Sequence, residues 1–203
     1  MKIQKERMDS FETLVVTVLS QNSTDRSAVR AFEKLDSVLG GITPRKIMFA
    51  PLQQIRDAIQ IAGLQQQKAP GLKKLSKRLV NDYHGSLDQI LEMSFDEARN
   101  TLMSLPQVGP KTADVLLVTV TGKPTIPVDT HVDRVSRRLG LAPLKGGYER
   151  VRESLQKLYK PSQYHRVHLL LIAHGRTYCT ARRPKCPICP VNLVCPYPYK
   201  TRP

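Results

Sequence analysis

The stretch Leu105-Pro-Gln-Val-Gly-Pro-Lys-Thr-Ala-Asp-Val-Leu116, in the middle of the 203-residue chain, predicts two helices joined by a tight turn. One helix ends near Leu105, Gly109 permits the turn, and Pro110 begins the next helix, where its missing N–H costs nothing. Such a turn directs backbone N–H groups to one point beside a helix N-terminus, an arrangement that binds phosphate without reading base sequence. A plain helix connector would carry the same pattern, so the turn alone does not decide the function.

Lys111 lies in the first turn of the second helix of this stretch. The positive end of the helix dipole disfavours a charged lysine there and favours the free amine, which is the nucleophilic form, whereas a carboxylate of Asp129 nearby would favour the charged form. A lysine that simply contacts phosphate would suit the same position, and both interpretations stay open. Further along, Asp129 is a candidate N-cap; near Lys111, its carboxylate could instead accept a proton or stabilise positive charge on a sugar.

The rest of the chain predicts further helices, because apolar residues recur at helical spacing and alternating patterns typical of strands are absent. The caps and prolines predicted to begin the earlier helices are Asp9 with Glu12, Asp25, Pro51, Pro70, and Ser94 with Glu97. Later helices are predicted over 110–121, 130–139, 147–159 and 162–174. The chain is therefore predicted to be all-α, with the segment 122–127 crossing between two lobes.

All four cysteines lie near the C-terminal end, in the spacing C-x6-C-x2-C-x5-C. They are Cys179, Cys186, Cys189 and Cys195. Thiolates clustered in one short segment can close around a metal centre, which would fold a stretch that is poor in apolar residues. The unequal gaps favour an iron–sulfur cluster over structural zinc, which usually uses two Cys-x2–4-Cys pairs. Disulfides are disfavoured because nothing marks the chain as secreted.

The formal net charge of +15 indicates a polyanionic partner, because cations that contact phosphates release condensed counterions. A solvated basic surface is the alternative that charge alone leaves open. Aromatic residues make up only 5% of the chain and tryptophan is absent, which argues against single-strand binders that stack bases on aromatic side chains. No apolar run approaches the length of a membrane span, so membrane insertion is not expected.

Taken together, these stretches resemble the endonuclease III family of helix-hairpin-helix DNA glycosylases over nearly the whole chain. The resemblance also includes Leu-Ser-Gln-Asn-Ser-Thr-Asp at 19–25, Ile-Ala-Gly-Leu at 61–64 and His-Gly-Arg-Thr-Tyr-Cys at 174–179. It implies two all-helical domains that flank a DNA-binding cleft. A six-helix bundle with the hairpin would cover 4–123, and an iron–sulfur cluster domain would cover 124–203 together with the extreme N-terminus.

The resemblance also implies an activity, that of a bifunctional DNA glycosylase and abasic-site (AP) lyase. It places the Schiff-base lysine on Lys111, the catalytic aspartate on Asp129 and a structural [4Fe–4S] cluster on the four cysteines. The residues that it implies in contact with DNA are Gln21, Asn22, Leu64, Gln107, Val108, Gly109, His131, Arg182, Arg183 and Lys185. The implied partner is double-stranded DNA with damaged bases, mainly oxidised pyrimidines. The protein is expected to act as an intracellular monomer and, if it comes from a prokaryote, to lie in the cytoplasm or at the nucleoid.

Three positions depart from the family pattern. Asn22 stands where bacterial relatives usually carry the glutamine that fills the gap left by the flipped base, and Gln21 comes just before it, so either residue could fill the gap. Gln107 replaces a hairpin glycine, and Pro110 removes one N–H from the turn. Two rival functions remain at this level: a mismatch or 5-methylcytosine glycosylase of the same superfamily, and a non-catalytic DNA-binding module with a metal clip.

Overall fold

The computed structural model describes residues 8–201, and every regular element in that range is helical, with no strand. The predicted all-α fold is confirmed. The chain divides into two compact units, the first ending at Gly122 and the second beginning at Lys123. That the units are a six-helix bundle and a cluster domain stays a prediction, and the predicted part of the extreme N-terminus lies outside the described residues.

The described part of the first unit contains eight α-helices packed around one apolar core. They are α1 (Ser10–Ser20), α2 (Asp25–Leu39), α3 (Pro44–Phe49), α4 (Leu52–Ile59), α5 (Gln65–Asp82), α6 (Asp88–Glu92), α7 (Phe95–Met103) and α8 (Pro110–Leu116). A 3-10 turn at Gln60–Ala62 links α4 to α5, and a π-helical turn at Leu117–Thr121 extends α8. The short helices α3 and α6 carry too little periodicity to be predicted.

The described part of the second unit contains three α-helices, α9 (Thr130–Arg138), α10 (Tyr148–Leu158) and α11 (Tyr164–Thr177). Its core is smaller and lies where α9 packs on the other two helices, around Val132, Val135 and Leu155. After α11, a 3-10 turn at Cys186–Ile188 is the only helical element in the described part of the chain. No helix within residues 8–201 is long and apolar enough to cross a bilayer.

Side-chain caps determine where several helices begin. Asp9 with Glu12, and Ser94 with Glu97, are the predicted caps of α1 and α7, and each pair forms a capping box. In the first box the Asp9 carboxylate accepts the Glu12 N–H at 2.7 Å, and the Glu12 carboxylate accepts the Asp9 N–H at 3.1 Å. Each box satisfies backbone N–H groups that have no partner within the helix.

Two predicted helix starts are wrong. Thr24 caps α2 with its hydroxyl, and Asp25 is the first helical residue, where its charge still favours the helix dipole. The helix α5 begins at Gln65 and contains Pro70 in its interior. A proline there removes one backbone hydrogen bond, but the apolar residues on both sides of it are fully buried and keep the helix continuous.

Candidate functional site

The predicted hairpin consists of α7, the turn 104–109 and α8. Gly109 is the N-cap of α8, and Lys111 is the second residue of that helix. A buried ion pair joins the two helices: Arg99 Nε donates to Asp114 Oδ1 at 2.7 Å, and the Asp114 side chain is fully buried. The pair fixes one helix of the hairpin against the other.

The Lys111 side chain is half-buried in the first turn of α8. Its amine makes no hydrogen bond or ion pair with the residues that the structure describes. An amine in this position is available to a ligand, either as a nucleophile or as a phosphate contact.

The turn of the hairpin is strained at Gln107, whose φ of 68° lies in the left-handed region. The Gln107 side chain lies against α5 at Gly71, where an added Cβ would come within 2.5 Å of Gln107 Cδ. The buried Val108 follows, and its N–H donates to the Leu105 carbonyl at 3.2 Å. Gly71 is not among the predicted site residues, although a glycine inside a helical pattern is a signal of close approach.

The loop after α1 is bonded to the hairpin through Gln21. Its Nε2 donates to the Gln107 carbonyl at 3.0 Å and to Thr112 Oγ1 at 3.1 Å. Asn22 follows as an exposed residue with a φ of 51°, a left-handed conformation that asparagine tolerates better than most residues. The two candidates for filling a base gap therefore differ, because the Gln21 amide is engaged and the Asn22 side chain is exposed.

The loop before α5 presents Leu64 at its tip. Leu64 follows Gly63, has a φ of 53° and is 44% exposed, although it is a large apolar residue. Its carbonyl accepts the backbone N–H of Lys68 at 2.9 Å. The loop thus fixes an apolar side chain in an exposed position, which suits a wedge between bases.

Asp129 lies in the second unit and caps α9, as predicted. Its Oδ1 accepts the N–H of His131 at 2.8 Å and the N–H of the next residue at 2.7 Å. The segment before it is also fixed, because the Val128 N–H donates to the Tyr148 hydroxyl at 3.2 Å. One carboxylate oxygen therefore makes the cap, and the cap leaves the other oxygen unused.

His131, a predicted DNA contact, is packed against the helix that leads to the cysteines. An added Cβ at Gly175 would come within 3.0 Å of the His131 Cβ. Arg134 Nη2 lies 3.1 Å from His131 Nδ1 and donates to the Gly175 carbonyl at 3.0 Å, while its Nε donates to the Cys179 carbonyl at 2.9 Å. Arg134 thereby joins α9 to the start of the cysteine segment.

The four cysteines carry no disulfide and line one pocket, together with Arg138, His174 and Tyr197. Arg138 Nη1 donates to Cys179 Sγ at 3.4 Å, and the guanidinium lies 4.7 Å from the centre of the Tyr197 ring. Cys189 Sγ lies 3.7 Å from His174 Nε2, and desolvation by burial lowers the pKa of His174.

The donor set of this pocket, four thiols and a cationic neighbour, fits a group that binds thiolates. Among residues 8–201, no three His, Cys, Asp or Glu side chains lie close enough together to hold a single metal ion.

The loop between the first two cysteines exposes three cationic side chains, Arg182, Arg183 and Lys185. Its backbone is fixed from several sides. Thr180 Oγ1 donates to the Arg183 carbonyl at 2.6 Å, the Lys185 N–H donates to the Tyr178 carbonyl at 2.8 Å, and Arg138 Nη2 donates to the Ala181 carbonyl at 3.0 Å. Cations fixed in this way can contact phosphate without first ordering a loop.

Comparison with known proteins gives consistent matches. The sequence profile of the HhH-GPD superfamily base excision DNA repair protein matches residues 15–161. Endonuclease III of Sulfolobus acidocaldarius is 39% identical over 187 residues, which cover 92% of this chain and 82% of that protein. Endonuclease III of Escherichia coli K12 is 36% identical over 190 residues, covering 94% of this chain and 85% of that protein.

Among solved structures, a trapped endonuclease III–DNA covalent intermediate superposes with a TM-score of 0.82 at 34% identity, covering 94% of this chain and 85% of that one. A thermostable thymine-DNA glycosylase at 24% identity, with a TM-score of 0.72, shares the fold. The chain therefore belongs to the endonuclease III family of the HhH-GPD superfamily of base excision DNA repair proteins.

Proposed function

We propose that this chain removes oxidised pyrimidines from duplex DNA through a Schiff base on Lys111 and then cuts the strand by β-elimination. Membership of the endonuclease III family makes it an enzyme, a DNA glycosylase and AP lyase. The observation that carries the assignment to Lys111 is its amine, which makes no hydrogen bond or ion pair within residues 8–201 and lies half-buried in the first turn of α8.

The chemistry begins once the damaged nucleotide has left the base stack. The neutral Lys111 amine adds to C1′, the glycosidic C1′–N bond breaks, and the base leaves with the bonding electrons and takes up a proton. Opening of the sugar ring gives the Schiff base between the lysine nitrogen and C1′. Loss of a C2′ proton then expels the 3′ phosphate, which cuts the strand, and water releases the lysine.

Asp129 is the proposed acid–base partner of Lys111 in these reaction steps. Its capping bonds use only Oδ1, so the second oxygen can take a proton from the attacking amine or stabilise positive charge that develops on the sugar. The cap itself supports this role, because it fixes the orientation of the carboxylate.

We assign Asn22 as the residue that fills the space left by the extruded base, and Leu64 as the residue that wedges between the bases. The exposed amide of Asn22 and the engaged amide of Gln21 support the first assignment. The exposed apolar side chain of Leu64 supports the second. The predicted contacts of Gln107, Val108, Gly109 and His131 with DNA stay predictions.

The four cysteines would hold a [4Fe–4S] cluster, with Arg138 as the cationic neighbour of Cys179. When bound, the cluster supplies iron–thiolate bonds that hold the C-terminal segment in one conformation. The basic loop Arg182–Lys185 would then contact backbone phosphate. The proposed partner is double-stranded DNA with a damaged base, met by a monomer inside the cell, in the cytoplasm or at the nucleoid.

Borohydride trapping on a duplex with one thymine glycol tests the proposal. The wild-type protein should become covalently joined to the DNA, and Lys111→Gln should abolish both the adduct and strand cleavage. The matched control is Lys74→Gln, which removes an exposed lysine of α5 and should trap like the wild type. A Lys111→Gln protein that still traps at the wild-type rate would make Lys111 a binding residue.

A panel of duplexes tests the substrate class. It contains thymine glycol, dihydrouracil, uracil or thymine opposite guanine, 5-methylcytosine and an abasic site. The two oxidised or reduced pyrimidines and the abasic site should be cleaved fastest. Faster cleavage of thymine opposite guanine, or of 5-methylcytosine, would contradict the assigned substrate while leaving the lysine chemistry intact.

A further inference from the structure

A buried lysine outside the proposed chemistry, Lys68 of α5, is only 2% exposed. Its Nζ donates to the Leu19 carbonyl at 2.8 Å and to the Ala62 carbonyl at 3.0 Å, and it makes no ion pair within the described residues. Desolvation by burial lowers the pKa of Lys68. A methionine would fill this space without the desolvation cost, so the hydrogen bonds are the feature that distinguishes a lysine here.

The two carbonyls belong to the bases of two different loops. Leu19 lies in the last turn of α1, directly before the loop that carries Asn22. Ala62 ends the 3-10 turn before Leu64. The backbone N–H of Lys68 donates to the Leu64 carbonyl in the ordinary i→i+4 bond that begins α5, so the side-chain bonds are what set Lys68 apart. One residue is therefore bonded to the loop with the proposed gap-filling residue and to the loop with the proposed wedge.

Backbone strain lies at the same places. Residues 8–201 contain four non-glycine residues with left-handed φ, and three of them are Asn22, Leu64 and Gln107. Strain of this kind persists only where surrounding contacts hold it. Lys68 supplies such contacts for the two loops, and the Gln21 amide bonds the first loop to the hairpin at the Gln107 carbonyl.

We propose that Lys68 is a positioning residue that holds the Asn22 loop and the Leu64 loop at a fixed separation, so that wedging and gap filling occur together. This inference rests on the proposed function. Without the hydrogen bonds of the Lys68 side chain, each loop could still approach DNA. The side chains of Asn22 and Leu64 would then no longer reach the same base step together. Removing the side-chain bonds of Lys68 should therefore slow extrusion of the base and leave the chemistry at Lys111 unchanged.

The test compares two substrates under single-turnover conditions, a thymine-glycol duplex and a duplex with a preformed abasic site. Extrusion costs little at an abasic site because no base has to be unstacked. Lys68→Met should slow cleavage of the thymine-glycol duplex by about tenfold or more and that of the abasic duplex by less than about threefold. Lys74→Met, which removes an exposed lysine of the same helix, should change neither rate.

A double-mutant cycle with Leu64→Ala adds a readout that a merely structural role would not move. If Lys68 acts through Leu64, Lys68→Met should cost much less in the Leu64→Ala background than in the wild type. The proposal would be overturned if Lys68→Met slowed cleavage of both substrates equally or of neither. It would also be overturned if the effects of Lys68→Met and Leu64→Ala were fully additive. If the wild-type protein itself fails to trap on either duplex, the proposed function fails instead.

Lys68→Arg covers the case in which Lys68→Met does not fold. It keeps the positive charge and the donors but lengthens the side chain, so it should alter the separation of the two loops. The expected result is the same selective slowing on the thymine-glycol duplex by a smaller factor. An unselective loss in this folded variant would again overturn the proposal.

Discussion

The two units of this protein differ in the interactions that stabilise each of them internally. The first unit buries several times as many apolar side chains as the second, and its core reaches every α-helix from α1 to α8. In the described part of the chain after Tyr178, the apolar residues Ile188, Leu193 and Val194 are exposed. A segment that buries so little apolar surface needs other bonds to hold one conformation, and the four thiols are the groups able to provide them.

The strongest change is expected in the C-terminal segment, which should lose its fixed conformation when one thiolate is removed. Wild-type protein should be brown, with broad absorbance near about 400 nm and about four irons per chain. Cys189→Ser should lose this colour and become sensitive to proteolysis beyond Tyr178, while the first unit keeps its helical circular dichroism. Ile188→Ser, at an exposed neighbour, is the control and should keep both colour and resistance. A colourless wild-type protein with one zinc would contradict the assigned cluster.

The next effect concerns the buried ion pair of the first unit. Asp114→Asn should lower the free energy of unfolding by about 3–5 kcal/mol, because it removes the buried negative charge that pairs with the Arg99 guanidinium. The control is Asp133→Asn in the second unit. Asp133 pairs with Arg137 on a partly exposed surface, where the loss should stay below about 1 kcal/mol. Denaturant unfolding measures both changes, and equal losses would show that burial does not separate the two pairs.

A moderate effect is expected on DNA affinity. Replacing Arg182, Arg183 and Lys185 with glutamine should make the slope of log affinity against log salt concentration less steep. The slope should change by about one for each phosphate that is no longer neutralised. Equal removal of charge elsewhere in the second unit, with glutamine at Lys145, Lys157 and Arg166, should change the slope less. Fluorescence anisotropy on undamaged duplex at several salt concentrations gives both slopes. An unchanged slope in the first variant would exclude the loop from the phosphate-binding surface.

The smallest effect belongs to the capping box of α7. Hydrogen bonds from the Ser94 side chain and backbone lower the pKa of Glu97 below its ordinary value of 4.5. Since the folded-state pKa is depressed, this stabilisation is present above pH 4.5 and is lost as the pH falls through the folded-state value.

Ser94→Ala should therefore lower the melting temperature by about 2–4 °C at neutral pH, with the difference shrinking towards pH 3. Ser154→Ala, in the interior of α10, removes a hydroxyl that caps no helix and is the control. A difference that stays constant down to pH 3 would contradict the role of the Glu97 carboxylate.

The sequence predicted the elements that local chemistry determines. Periodicity predicted the all-α fold, and the capping residues predicted the starts of α1, α7 and α9, because a cap bonds within its own helix turn. Pro70 does not begin a helix as its type predicts, because burial of its neighbours outweighs one lost hydrogen bond. Burial depends on contacts with distant segments that a local pattern does not contain.

The candidate site was predicted in part for the same reason. Lys111, Asp129 and the cysteines lie in motifs that can be read along the chain. The contacts around them join residues far apart in sequence, such as Gln21 with the Gln107 carbonyl and Lys68 with the Leu19 carbonyl. Nothing in the residues near Lys68 predicts burial, since lysine is usually exposed.

The position of the covalent bond between protein and DNA decides whether Lys111 is the nucleophile. Wild-type protein is trapped with borohydride on a thymine-glycol duplex, digested, and mapped by mass spectrometry. If Lys111 is the nucleophile, the sugar remnant lies on the peptide that contains Lys111 and on its side-chain nitrogen. A remnant on another lysine or on the N-terminal amine, or no adduct during active strand cleavage, would contradict this role of Lys111.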